Sequence, residues 1–240
     1  MKTLHILLAF LGVSQLCFTQ ENERGLLELE IRNRFGQMYE VYDFVEVDKS
    51  IGDRRVANGR IEDPYGTLNG CSVFTVRGMR TDHSTDFPRG FVGIWKDRRI
   101  VWTSDTLLQS SGVISPEVYA SMDLNADGKV DLLVIWGEDA GAGHTADRLW
   151  IFTWDGQQGV TANDYTEDGR SVIVSVDQAF SLVDIDGDGV LEINVDLRQT
   201  EYGEFGLGTY SWNGEAYGRW LDTPTIPAGG FLPRDRLSLN

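Results

Sequence analysis

Two short stretches of this chain gather oxygen donors around glycines. In DIDGDGVLE, residues 184–192, the side chains of Asp184, Asp186, Asp188 and Glu192 stand at the first, third, fifth and ninth positions, with Gly187 and Gly189 between them. In DLNADGKVD, residues 123–131, the same four positions hold Asp123, Asn125, Asp127 and Asp131. Alternate residues of such a loop turn their oxygens toward one point, and carboxylates brought that close repel each other unless a cation lies among them. A hard cation of calcium size takes six to eight oxygens at about 2.3–2.6 Å. Four side chains, the main-chain carbonyl of Val190 or Lys129 at the seventh position, and water can supply them, with the Lys129 side chain directed outward. Two Ca²⁺ sites are therefore expected. The loop from Asp184 to Glu192 offers four carboxylates against three and is expected to bind more tightly. Magnesium fits less well because it gives up its waters reluctantly.

Other chemistry is thinly represented. An EF-hand needs a glutamate at the twelfth position, where this chain has Val134 and Val195, and each loop runs into a strand pattern instead of a helix. The stretch TEDG, residues 166–169, reads as a turn, since Val172 stands where a last ligand belongs. His83 beside Asp82 and Asp86, and His144 in a glycine-rich stretch, are candidate general bases, but they read more simply as loop residues. Cys71 begins a strand pattern and has no histidine partner, which makes it a small core residue. Glu138 and Asp139 are adjacent and point to opposite faces of an extended chain. The balance is against an enzyme.

The elements that must hold these loops show a repeat. The two loops are offset by 61 residues, and each is followed by an aromatic strand closing in a turn, LWIFTWDG and GTYSWNG. Asp-Gly and Asn-Gly between alternating apolar residues signal hairpins. Trp154 and Trp212 thus hold equivalent places, Trp95 precedes Trp154 by 59 residues, and an earlier turn is expected around Gly36. Asp63 lies sixty residues before Asp123 and opens a third, degenerate loop, with Ser72 to Val76 over Leu132 to Trp136. Residues 38–47 favour a strand by their β-branched and aromatic content. The expected fold is all-β: a β-propeller-like array of about four antiparallel units of roughly sixty residues, forming a small closed ring, an open partial one, or another β architecture.

These loops and turns resemble the FG-GAP, or VCBS-type, repeats of integrin α-subunit propellers and many exported bacterial proteins. The resemblance covers residues 122–134 and 183–195 and the strands between them, and the first hundred residues by register. It implies a calcium-binding propeller whose ligands are Asp123, Asn125, Asp127 and Asp131 with the Lys129 carbonyl, and Asp184, Asp186, Asp188 and Glu192 with the Val190 carbonyl. The FG-GAP tripeptide itself is missing, and Glu192 replaces the usual aspartate. Some polysaccharide-cleaving enzymes use related propellers, which keeps a lyase or hydrolase as the alternative to a binding module.

The surroundings fit an exported protein. Residues 1–20 have the charged, apolar and polar order of a signal peptide, leaving residues 21–240 as a single domain with no later span for a membrane. Cys71 is then the one cysteine left, so core or metal must hold the fold. A net charge of −16, from 37 acidic and 21 basic residues, disfavours nucleic acid as a partner. The expected location is secreted, periplasmic or on the outer cell surface, with a protein or carbohydrate ligand. Seven tryptophans invite sugar stacking, and the loop bearing Trp102 and residues 137–147 are where such a surface is expected.

Overall fold

The computed structural model describes residues 22–36, 39–47, 54–56, 59–78, 89–104, 107–108, 115–141, 144–167, 169–176, 179–195 and 208–220. The expected signal peptide and His83 lie outside them. The described chain is mostly β, in three sheets, none closed on itself.

One helix, α1 over residues 22–35, stands where the sequence suggests no helix and a first hairpin around Gly36. Leu27, Ile31 and Phe35 recur every four residues, the spacing of one helix face, and Leu27 and Ile31 are buried. Gly36 ends the helix at φ +93°, its N–H donating to the Arg32 carbonyl at 3.1 Å. A left-handed glycine closing the last turn is the usual helix stop. The turn expected at Gly36 is thus a helix C-terminus, and three hairpins remain of the four.

The strands follow in chain order. They are β1 (Tyr39–Val47), β2 (Arg54–Val56), β3 (Gly59–Ile61), β4 (Cys71–Gly78), β5 (Arg89–Lys96), β6 (Arg99–Thr103), β7 (Leu107–Leu108) and β8 (Ser115–Met122). Then come β9 (Val130–Gly141), β10 (His144–Trp154), β11 (Gly159–Thr161), β12 (Val174–Val176), β13 (Phe180–Val183), β14 (Glu192–Val195), β15 (Gly208–Trp212) and β16 (Tyr217–Arg219). Each sheet is built on an antiparallel run of four: β1-β4-β5-β6, β8-β9-β10-β11 and β13-β14-β15-β16. The short β7 and β12 add to β5 and β10, and β3 with β2 joins the second sheet through a parallel contact of Ile61 with Ser121.

The apolar residues sort into three clusters that order the layers. Leu27 and Ile31 of α1 pack on Phe74, Val76, Phe91 and Trp95 of the first sheet. The opposite face of that sheet, with Val73, Val92 and Ile94, meets Leu132, Val134, Phe152 and Trp154 of the second. The other face of the second, with Leu133, Ile135, Leu149 and Ile151, meets Ile193, Val195 and Tyr210 of the third. Helix and sheets therefore stack in chain order. Alternation along a strand sends neighbours to opposite faces, so the repeat register can be tested by side. Phe74, Val134 and Val195, at offsets of 60 and 61, all face the preceding layer, and so do Trp95, Trp154 and Trp212.

Trp95, Trp136, Trp150 and Trp154 are thus consumed by packing, with Trp102 and Trp212 set against the same clusters. Trp102, expected near a ligand surface, lies over Phe152 and Trp154 with ring centroids 5.8 and 6.0 Å apart, and its indole covers Gly159. Among the described residues no tryptophan is exposed. Cys71 is a buried core residue, and burial pushes its thiol up, as its sequence position suggested. No helix among the described residues is long and apolar enough to cross a membrane.

Candidate metal centre

Each acidic loop joins the first strand of a sheet to the second. Met122 pairs with Asp131 to close β8 on β9, and Val183 pairs with Glu192 to close β13 on β14. The ninth loop residue therefore already lies in a strand, the second residue of β9 in Asp131 and the first of β14 in Glu192, and the other donors lie on the connection.

Within the connection the two loops share four hydrogen bonds and differ in one, the other first-position oxygen accepting the fifth-position Asp127 N–H on Asp123 but the fourth-position Gly187 N–H on Asp184. The first-position carboxylate accepts the sixth-position N–H, Gly128 to Asp123 and Gly189 to Asp184, each at 3.1 Å. The third-position side chain accepts the fifth-position N–H, Asp127 to Asn125 at 3.2 Å and Asp188 to Asp186 at 3.3 Å. The fifth accepts the seventh, Lys129 to Asp127 at 2.9 Å and Val190 to Asp188 at 2.8 Å. The ninth reaches back to the second: Asp131 accepts Leu124 N–H at 2.9 Å and Glu192 accepts Ile185 N–H at 2.7 Å. Sixth-position glycines at φ +80° and +92° permit this path, and the fourth position is also left-handed, at φ +81° in Gly187 and +57° in Ala126.

These bonds divide the donors by depth. Asp184, Asp186 and Asp188 are exposed, and one oxygen from each lies within 4.8 Å of the others. Donors on opposite sides of an ion bonded at about 2.3–2.6 Å stand about 5 Å apart, so three oxygens inside that span suit a shared first shell, and oxygen-only donors suit a hard cation. Glu192 is buried behind them with one oxygen committed to the loop backbone, outside that close group. Burial, then the nearby Asp186 and Asp188, push its carboxyl up against the pull of the Ile185 N–H.

In the loop of residues 123–131 the corresponding acid is deeper. Asp131 is buried, with Thr153 Oγ1 donating to its second oxygen at 2.5 Å, and burial with repulsion from Asp127 and Asp123 pushes it up to about 6. Asn125 is buried as well. Lys129 is exposed, as the sequence suggested, and its ammonium bonds Asp127 Oδ2 at 3.3 Å, offsetting one of three acids. Asp127 and its neighbours thus hold less free negative charge than the Asp184 loop.

The loops touch each other and a third. Leu191 N–H donates to the Leu124 carbonyl at 2.8 Å, and the buried Tyr217 phenol donates to the Leu191 carbonyl at 3.2 Å. Burial, then the acids of both loops, hold that phenol far above its ordinary value. On the other side the Tyr65 phenol donates to Asp123 Oδ2. Tyr217 and Thr153 lack any sequence signal linking them to the acids, because strands from other parts of the chain bring them in. The TEDG stretch is a turn, Gly169 N–H reaching the Thr166 carbonyl at 2.8 Å. Comparison with protein-family models, curated proteins and solved structures finds no match for this chain.

Proposed function

We propose that this chain is an exported calcium-binding β-repeat protein, akin to FG-GAP repeats, that acts as a binding or structural module at the cell surface or in the periplasm. One observation carries the reading: two loops, each leading into the second strand of an antiparallel run, share four side-chain-to-backbone hydrogen bonds, and one draws three carboxylates inside a single ion's span. Asp184, Asp186 and Asp188 are the first ligands, joined by Glu192 and the Val190 carbonyl. Asp123, Asn125, Asp127, Asp131 and the Lys129 carbonyl form the weaker set. The face-to-face stack is what an arc of propeller blades requires, with α1 where another blade would lie.

Calcium in these loops holds the strand ends together. A ligand that binds only the folded chain stabilises it by about 2.7 kcal/mol at a hundredfold excess over Kd, so weak sites suffice where calcium is abundant. The acidic surface and packed tryptophans favour a protein or glycan partner met through polar loops over aromatic stacking. Thermal melting of the full chain with calcium and with chelator tests the reading. A calcium-dependent rise that shrinks in Asp184→Ala/Asp188→Ala supports it, and a transition that calcium leaves in place refutes it.

A further inference from the structure

The third acid-bearing loop has no part in the calcium reading. It keeps Asp63 at the first position but lacks the later donors. It nevertheless keeps the loop path: Asp63 Oδ2 accepts the sixth-position Leu68 N–H at 3.2 Å, and the fourth-position Gly66 lies at φ +71°. By chain order it belongs to the first sheet, between β1 and β4, yet its anchors are on the second. Glu62 N–H donates to the Ser121 carbonyl at 2.9 Å and to Ser121 Oγ at 3.0 Å, and Ser121 Oγ donates to the Glu62 carbonyl at 2.6 Å. Trp154 Nε1 donates to the Thr67 carbonyl at 3.3 Å. Between these anchors stands Tyr65, with its phenol on Asp123.

We infer that Tyr65 is a positioning residue for the cation site of residues 123–131, and that the third loop serves its neighbour by delivering it. The inference rests on the calcium reading proposed above. Asp123 Oδ1 accepts Asp127 N–H at 3.1 Å and Oδ2 accepts Gly128 N–H at 3.1 Å, both from its own loop. The phenol adds a hold from outside that loop, which fixes the rotation of the carboxylate. Outer hydrogen bonds of this kind orient ligands, and removing them typically costs about 10–100-fold in metal affinity. Asp184 has no such partner: its oxygens accept Gly187 N–H at 2.6 Å and Gly189 N–H at 3.1 Å, with no side chain from another sheet on them among the described residues. Tyr65 is 48% exposed, so Tyr65→Phe removes the hydroxyl without opening the core.

Calorimetric titration of the full chain with Ca²⁺ tests this, using Asp184→Ala/Asp188→Ala to read the first loop alone and Asp123→Ala/Asp127→Ala to read the second. Adding Tyr65→Phe is expected to weaken the first loop about tenfold. The second loop's affinity and the melting temperature in chelator should stay unchanged. An unaltered or tighter first-loop affinity overturns the inference, as does a loss of chelated stability that accounts for the change. Failure of the unsubstituted chain to bind calcium overturns the calcium reading itself, a separate and recognisable result.

Discussion

Leu191 and Leu124, the residues just before Glu192 and just after Asp123, are joined by a direct backbone hydrogen bond of 2.8 Å between different sheets. Leu124 also gives its own N–H to Asp131, so the buried acid of one loop and the chain leading into the buried acid of the other share one residue. Disorder in either loop should reach the other. In amide exchange, Asp184→Ala/Asp188→Ala is expected to lower protection at Leu124 as well as at Gly187 and Gly189; protection lost only in the mutated loop would show that the bond transmits nothing.

Tyr217 secures that junction from within. Removing its hydroxyl in Tyr217→Phe leaves the Leu191 carbonyl without its donor, and a net cost of about 1 kcal/mol is expected in urea denaturation. A value near zero would mean that packing alone holds the ring.

Ala126 and Gly187 hold the same loop position with the same left-handed backbone. A side chain there costs about 1–2 kcal/mol, partly offset by the lower entropy of the unfolded alanine chain, about 0.4–1 kcal/mol. Ala126→Gly should therefore raise stability slightly, and Gly187→Ala should lower it although nothing stands within 4 Å of the added carbon. Paired denaturation curves in chelator check both signs.

The Lys129 ammonium sits on Asp127 Oδ2, one of the donors proposed for a cation at residues 123–131. Lys129→Ala is expected to tighten calcium binding at residues 123–131 several-fold without affecting the second loop, as read by titration of each loop alone. A weakened first loop would mean that the ammonium assists the loop's shape more than it competes with the ion.

Asp43 ties the first sheet to the second by accepting Val118 N–H at 3.0 Å, and burial raises its carboxyl above the ordinary 3.8 despite that bond. The folded chain then takes up a proton before the unfolded chain does. This group's contribution grows as pH falls from the raised folded value toward 3.8 and is lost as pH rises through it. Asp43→Asn should flatten that component of urea midpoints measured between about pH 4 and 7 in chelator; an unchanged slope would locate it elsewhere.

The hairpins and the acidic connections were legible because their signals are local. Aspartate and glycine at fixed offsets mark the loops, and Trp95, Trp154 and Trp212 mark one side of three hairpins, which the structure keeps on equivalent faces. The helix was missed although Leu27, Ile31, Phe35 and a stop at Gly36 carry its signal, because a glycine sixty residues before a second turn reads as another turn when register is trusted over period. What could not be read is which side chains meet across strands and between sheets. Tyr65 on Asp123, Thr153 on Asp131 and Trp102 over Gly159 join residues 58, 22 and 57 positions apart, and no spacing rule connects them.

Face-to-face sheets are open-ended, since each apolar face invites another layer, and arrays of repeats need terminal units with polar outer sides to remain soluble. Helix α1 supplies such a unit. It spends Leu27 and Ile31 on the first sheet and turns Arg32, Asn33 and Arg34 outward. Glu23 ties it down by accepting from Trp95 Nε1 and Arg98 Nε, both at 3.1 Å. Among the described residues, the part of the first sheet's apolar face that α1 packs on is therefore closed to a further layer.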